Sequence, residues 1–194
     1  MRKLAILFLA VGCTTPSGST KTEDKPKGSS AAEFYPLTVG NSWTYHVKAL
    51  GEEREQTITI QGEEGGFLKD NAGNELTTDA YGVRDKLRYL LREPVEPGNH
   101  WTNVVSASSI EDYKIVSVES CTVPAGTFPR CAIVESRNKA DPKHTLINTF
   151  TFAAGVGIVR IETELLTGQD KIPQVRLELQ KYSLAPKPGE TPSH

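Results

Sequence analysis

Long apolar runs are missing from this chain. The longest uninterrupted one, residues 4–11 (LAILFLAV), is eight residues, well short of the ~20 that a helix needs to cross a bilayer. A surplus of base is missing too. The 22 Lys and Arg face 24 Asp and Glu, which argues against a nucleic-acid partner and against an electrostatic membrane patch. Histidine is scarce: His46, His100, His144 and His194 show neither H-x-H nor H-E-x-x-H spacing, so no metal and no other cofactor is expected. His46 falls on the polar side of a strand, and a surface or turn role is expected for each. No G-x-S-x-G nucleophile elbow occurs. Gly155-Val156-Gly157 lacks the third glycine of a dinucleotide loop, since position 160 is arginine, and it precedes a strand-like run at 158–166; it reads as a turn or bulge. The acid pairs Glu52-Glu53, Glu63-Glu64 and Glu111-Asp112 are adjacent in sequence, so in a strand their carboxylates face opposite ways; they read as solvated charge and not as a glycosidase pair. Residues 70–75 (DNAGNE) resemble a calcium loop only loosely and read as a polar hairpin turn.

What the chain has is alternation. Trp43, Tyr45 and Val47 alternate with Thr44, His46 and Lys48; residues 57–60 (TITI) alternate as well. Leu87, Tyr89 and Leu91 oppose Arg88 and Arg92, and Val175, Leu177 and Leu179 oppose Arg176, Glu178 and Gln180. Such segments are half-buried strands with one wet face. Glycine and proline punctuate them at short intervals, as in an antiparallel meander rather than βαβ units. No long apolar stripe of helical period exists. Residues 80–92 are the best helical candidate, weakened by Gly82, and residues 30–34 could form one short turn. The expected fold is mainly β: a single antiparallel meander of about nine or ten strands, curled into a barrel, half-barrel or sandwich because open sheets leave edges exposed, with at most short helices.

The N-terminus is an export address. Arg2-Lys3, the apolar run and Gly12 form a secretory leader. Residues 9–13 (LAVGC) resemble the lipobox of bacterial lipoproteins, with Ala10 where leucine is usual. The resemblance implies cleavage before Cys13, which would carry a thioether-linked diacylglycerol and an amide-linked acyl chain such as palmitate. Two or more chains hold a protein firmly on a membrane. Thr14 replaces the aspartate that resembles an inner-membrane retention signal, so the outer membrane is favoured over the inner for a two-membrane cell. The division is then residues 1–12 as signal peptide, 13–32 as lipidated cysteine and tether, 33–184 as the β-rich domain, and 185–194 as a tail. Residues 14–32 hold no large apolar side chain and are expected to stay unfolded, with an r.m.s. reach of about 25 Å. Losing Arg2 and Lys3 with the leader leaves 20 basic against 24 acidic residues, a net charge of −4.

In an oxidising compartment the two remaining cysteines, Cys121 and Cys131, are expected to pair. They flank residues 123–128 (VPAGTF), a turn between β-runs that would bring them close to opposite each other. They lack C-x-x-C redox spacing and have no histidine nearby for a metal site. Closing so short a loop stabilises a fold by about 2–3 kcal/mol on the chain-entropy account.

Four phrases follow in order: residues 35–37 (YPL) with 40–45 (GNSWTY), 97–101 (PGNHW), 123–128 (VPAGTF) with Cys131, and 155–159 (GVGIV). Their series resembles a group of poorly characterised secreted bacterial β proteins, sometimes called TapB-like. The resemblance implies a β-rich extracytoplasmic domain and no activity.

Three functions are open. The first is a non-catalytic, outer-membrane-anchored envelope component that binds a protein partner or serves assembly. The second is a carrier of an apolar ligand such as a lipid in a curled-sheet cavity, with Trp43, Tyr45, Tyr89, Trp101, Phe150 and Phe152 as candidate pocket residues. The third is a hydrolase built from distant residues, with His100 or His144 meeting Ser and Asp side chains. The absence of catalytic signatures favours a protein that is not an enzyme. The anchor is checked by intact mass and membrane fractionation beside a Cys13→Ala variant. The native protein should start at Cys13, carry acyl mass and follow the outer membrane, and the variant should not; a soluble, unacylated native protein would overturn the lipoprotein assignment.

Overall fold

The structure, a computed structural model, describes residues 30–186. The expected leader, the Cys13 anchor, most of the tether, the last eight residues of the tail and His194 lie outside the described residues.

The alternating segments become strands in chain order: β1 (Ser42–Ala49), β2 (Glu52–Glu64), β3 (Phe67–Asp70), β4 (Glu75–Asp79), β5 (Gly82–Arg84), β6 (Tyr89–Arg92), β7 (His100–Ser106), β8 (Ser109–Val123), β9 (Gly126–Lys139), β10 (His144–Ala153), β11 (Gly157–Thr167) and β12 (Asp170–Ser183). One four-residue helix, α1 (Ala31–Phe34), precedes them. Twelve strands form, not nine or ten. The undercount falls on residues 67–84, where β3 and β5 have only four and three residues; the strand read at Leu87, Tyr89 and Leu91 forms as β6, with Leu87 exposed on the turn before it. Pieces that short show two periods of alternation at most, which sequence cannot distinguish from loop. The helical candidate at 80–92 is the turn before β5, then β5, a turn and β6.

All twelve strands join one antiparallel sheet, nearly closed into a barrel, in the order β6-β5-β4-β3-β2-β1-β12-β11-β10-β9-β8-β7. Every neighbour is a sequence neighbour except β1 and β12, which pair from Ser42–Ser183 to Ala49–Val175. The two edge strands, β6 and β7, are themselves consecutive in sequence. Their seam has no ladder. Instead the Asn103 side chain accepts from Tyr89 N at 3.0 Å and donates to Tyr89 O at 3.1 Å, and Trp101 Nε1 donates to the same carbonyl at 2.8 Å. Asn99 Nδ2 reaches the carbonyls of Arg92 and Pro94. Side chains of one edge thus satisfy backbone groups of the other, which removes an edge that would otherwise invite pairing with another chain.

An even-numbered meander sends every odd strand the same way. The turns after the odd strands therefore gather at one end, and α1, the start of β1 and the end of β12 sit at the other. At that base Phe34 and Ala31 are fully buried, Ala31 N donates to Glu93, and Gly155 N donates to Glu33 O at 2.7 Å. Tyr35 follows and packs edge-on against Trp43, 5.7 Å between centroids, and against Phe152 at 6.1 Å. Gly157 makes room for it. Its φ is +112°, and a Cβ there would stand 2.8 Å from the Tyr35 ring. Trp43 is 1 % exposed, with Nε1 donating to Val156 O at 2.7 Å. The Gly155-Gly157 segment is the β10–β11 turn, as its sequence indicates.

Cys121 and Cys131 form the expected disulfide across the β8–β9 hairpin, 6.0 Å between Cα atoms. They are offset rather than directly opposite. Cys121 faces Phe128 and Cys131 faces Glu119, because Pro129 and Arg130 together oppose Ser120. Proline cannot donate to the ladder, and the resulting bulge lets Phe128 and Cys131, an odd number apart, both be buried.

If the seam holds the barrel together, Asn103→Ala should cost about 1–3 kcal/mol, because it strips two partners from a backbone that no strand covers. The expected readout is a lower urea midpoint than for Thr102→Ala on the outer face of β7; equal midpoints would show that the seam does not depend on Asn103.

Candidate functional site

The concave face of the sheet lines an open cavity of about 930 Å³. Its wall comes from inward-facing residues of the long strands: Ile58 on β2, Phe150 on β10, Ile158 and Ile161 on β11, and Leu177 on β12. Tyr35 and Tyr45 line it as well. The period-two pattern, shifted on β11 by the extra residue Val159, puts these side chains inside, yet Ile58, Phe150, Ile161 and Leu177 are only half-buried. The β3–β4 and β5–β6 turns, through residues 72–74 and 85–88, also line the cavity, so it opens on the side of the short strands. A notch in the wall widens the mouth. β2 pairs with β1 from Glu52 to Thr59 but with β3 only from Ile60 to Glu64, so residues 52–56 have a strand on one side alone. That open stretch reads Glu-Glu-Arg-Glu-Gln, charges that discourage another strand from docking.

Rings cross the interior in an unbroken series. Trp101 stacks on Tyr113 at 5.4 Å, Tyr113 on Phe150 at 6.3 Å, Phe150 meets Phe152 at 6.2 Å, and Phe152 leads to Tyr35 and Trp43. Of the six aromatics read from sequence, Tyr45 and Phe150 line the cavity. Trp43 and Phe152 are buried at the base, and Trp101 is at the seam. Tyr89 is also at the seam, its hydroxyl donating to Asp79 Oδ2 at 3.0 Å. Tyr45 donates to Ile158 O at 2.8 Å. Tyr35 and Tyr113 complete the series and are not among the six.

One polar cluster sits on this wall. Arg88 Nε donates to Glu111 Oε2 at 3.0 Å, Arg88 Nη1 donates to Asp85 Oδ2 at 3.2 Å, and the Tyr113 hydroxyl donates to Glu111 Oε2 at 3.1 Å. Asp85 Oδ1 accepts from the backbone N of Leu87 and of Arg88, fixing the turn that presents the arginine. Burial opposes the charge on Arg88, but the carboxylates of Glu111 and Asp85 outweigh it and hold its pKa above the usual value. Glu111 is 8 % exposed, which corrects its reading as solvated charge. Alternation already carried the signal: Glu111, Tyr113 and Ile115 share one face, and the latter two are plainly core. Asp112, on the opposite face, is exposed.

The other candidates lie elsewhere. His144 Nδ1 is 2.6 Å from Asp141 Oδ2 at the surface, His100 Nδ1 is 3.3 Å from Gly98 O, and His46 pairs with Glu53 at 3.1 Å. Neither His100 nor His144 lines the cavity. Asp70 ties the 71–74 turn, accepting from Ala72 N, Asn74 N and Asn74 Nδ2. Among the described residues no three His, Cys, Asp or Glu side chains gather to hold a metal ion.

No family model matches the chain, and no curated protein matches it. Solved structures similar to it include a protein from Bacteroides fragilis classed as exported, with a YmcC-like fold, 14 % identical over 78 % of this chain and 99 % of that one, at a TM-score of 0.47. Another is a protein from Parabacteroides distasonis classed as a lipoprotein, 14 % identical over 77 % of this chain and 98 % of that one, at a TM-score of 0.38. Both scores lie below one half, and at that level neither likeness speaks to function.

The buried phenols make the barrel alkali-sensitive. Burial, with the Asp70 charge, raises the pKa of Tyr35 well above 10; burial, with Tyr35 and Asp70, does the same for Tyr45. Burial and Glu111 raise that of Tyr113. A raised folded pKa means that the unfolded chain sheds the proton first, so stability is intact below about pH 10 and falls as pH rises beyond it. Absorbance at the phenolate band should show these three tyrosines ionising only on unfolding; early ionisation of all tyrosines in the folded protein would contradict their burial.

Proposed function

We propose that this protein is a lipid-anchored envelope domain that carries a small apolar ligand in its lumen. The observation that supports the reading is the cavity of about 930 Å³ walled by half-exposed apolar side chains. That volume is at the upper end of the about 300–1,000 Å³ that small-molecule sites occupy. Leaving Ile58, Phe150, Ile161 and Leu177 half-wet forgoes burial energy of about 25 cal/mol per Å² of apolar surface, which a ligand chain would recover. The assembly role that the sequence puts first calls for a filled interior, and the void favours carriage over it.

A second feature fits carriage. Leu87 is exposed and also lines the cavity, on the turn that presents Arg88. An apolar tip at the cavity rim suits contact with a lipid surface or an apolar partner from which a ligand enters.

The test uses N-phenylnaphthylamine, an apolar dye that brightens out of water. The native protein should show saturable brightening at one site. Ile161→Trp, which puts a large ring into the lumen from its wall, should lose most of it while keeping the native circular dichroism. No brightening, or brightening that Ile161→Trp leaves untouched, would overturn carriage.

A further inference from the structure

The lumen is apolar, but its charges are unequal. Asp70, Glu75, Asp85 and Glu111 line it against Lys86 and Arg88. Both cations are committed: Lys86 pairs with Glu75, and Arg88 with Glu111 and Asp85. Lys69, outside the lining, also pairs with Glu75 at 3.2 Å, so the surplus rests on Asp70. It is nine-tenths buried, and its partners are the neutral donors of its own turn; no cation pairs with it among the described residues. Three donated hydrogen bonds offset the desolvation of that carboxylate without cancelling its field. The field reaches the cavity floor. Asp70 adds to the burial that raises the Tyr35 and Tyr45 phenols, and Glu111 does so for Tyr113. Tyr45, Tyr113 and Phe150 also line the cavity, and the faces of aromatic rings attract cations.

We infer that the lumen takes a single-chain aliphatic amphiphile whose head is a positively charged nitrogen. This rests on reading the lumen as a ligand site. The chain lies against Ile58, Ile161 and Leu177. The head sits beside the Asp70 carboxylate and the rings, where an anionic head such as that of a fatty acid is repelled. In a low-dielectric lumen such repulsion is much stronger than in water.

The test is calorimetric titration of the purified domain with decyltrimethylammonium, decyl maltoside and decyl sulfate, each below its micelle concentration. The expected order is the cation first and the sulfate last, with about tenfold or more between them, equivalent to 1.4 kcal/mol. Asp70→Asn combined with Glu111→Gln should bring the cation down toward the maltoside. Both substitutions keep an acceptor oxygen in place, and Glu75→Gln at the cavity lining is a milder variant should the pair fail to fold. Ile161→Trp should abolish the cation's binding; binding that survives it is surface adsorption and overturns the inference. If all three probes bind alike, or the sulfate binds best, the head assignment falls while carriage stands. If none binds, both fall.

Discussion

Everything in this barrel depends on how two edges without a ladder are held together. β6 and β7 exchange no ladder hydrogen bonds; instead Asn103 and Trp101 satisfy the backbone of Tyr89, Asn99 reaches the carbonyls of Arg92 and Pro94, and Arg88 pairs with Glu111. The same two strands feed the interior. Trp101 begins the series of rings that runs through Tyr113 and Phe150 to the base, and the turn before Tyr89 carries Arg88 to Glu111. A flat sheet would have no concave face, no ring series and no cavity. The seam is therefore also the point where fold and candidate site meet.

The cavity survives folding because the wall is unequal around its circumference. On one side β8 to β12 are 10 to 15 residues long; on the other, β3 to β6 are three to five. Long strands curl into a deep wall that the short ones cannot match. The base is filled by α1, Tyr35, Trp43 and Phe152, while the mouth end has only turns and the notch beside β2. Apolar side chains near the mouth then have nothing to pack against. Polar groups that enter the same space are tied to one another, as with Arg88, Glu111 and Tyr113, so none is left buried without a partner among the described residues.

How much of this was legible in the sequence follows from the range of each signal. Trp43, Tyr45 and Val47 announced a strand because alternation is local, and the disulfide was legible because its turn lies between the two cysteines. Residues 67–84 were not, since strands of three to five residues carry too little pattern. The site divides the same way. Tyr45 and Phe150 were found because aromatics on strands are conspicuous. Glu111 was misread because adjacent acids look like surface charge, although its own register with Tyr113 and Ile115 pointed inward. The pairing of Arg88 with Glu111 spans 23 residues and a seam, and no local pattern encodes that.

One feature of the topology reaches beyond the folded state. Ten of the eleven strand pairings join sequence neighbours, so each can form as a hairpin at small loop-closure cost. The pairing of β1 with β12 is the exception, joining residues more than 120 positions apart. It follows that the search time of this chain is concentrated in a single encounter between its first and last strands. The start of β1 and the end of β12, held side by side by that pairing, could be joined by a loop and the chain opened between β6 and β7, at the existing seam. Such a rearranged chain would have the same barrel and a contact order lowered at its costliest point, so the barrel's shape and its folding speed are separable properties of one sequence.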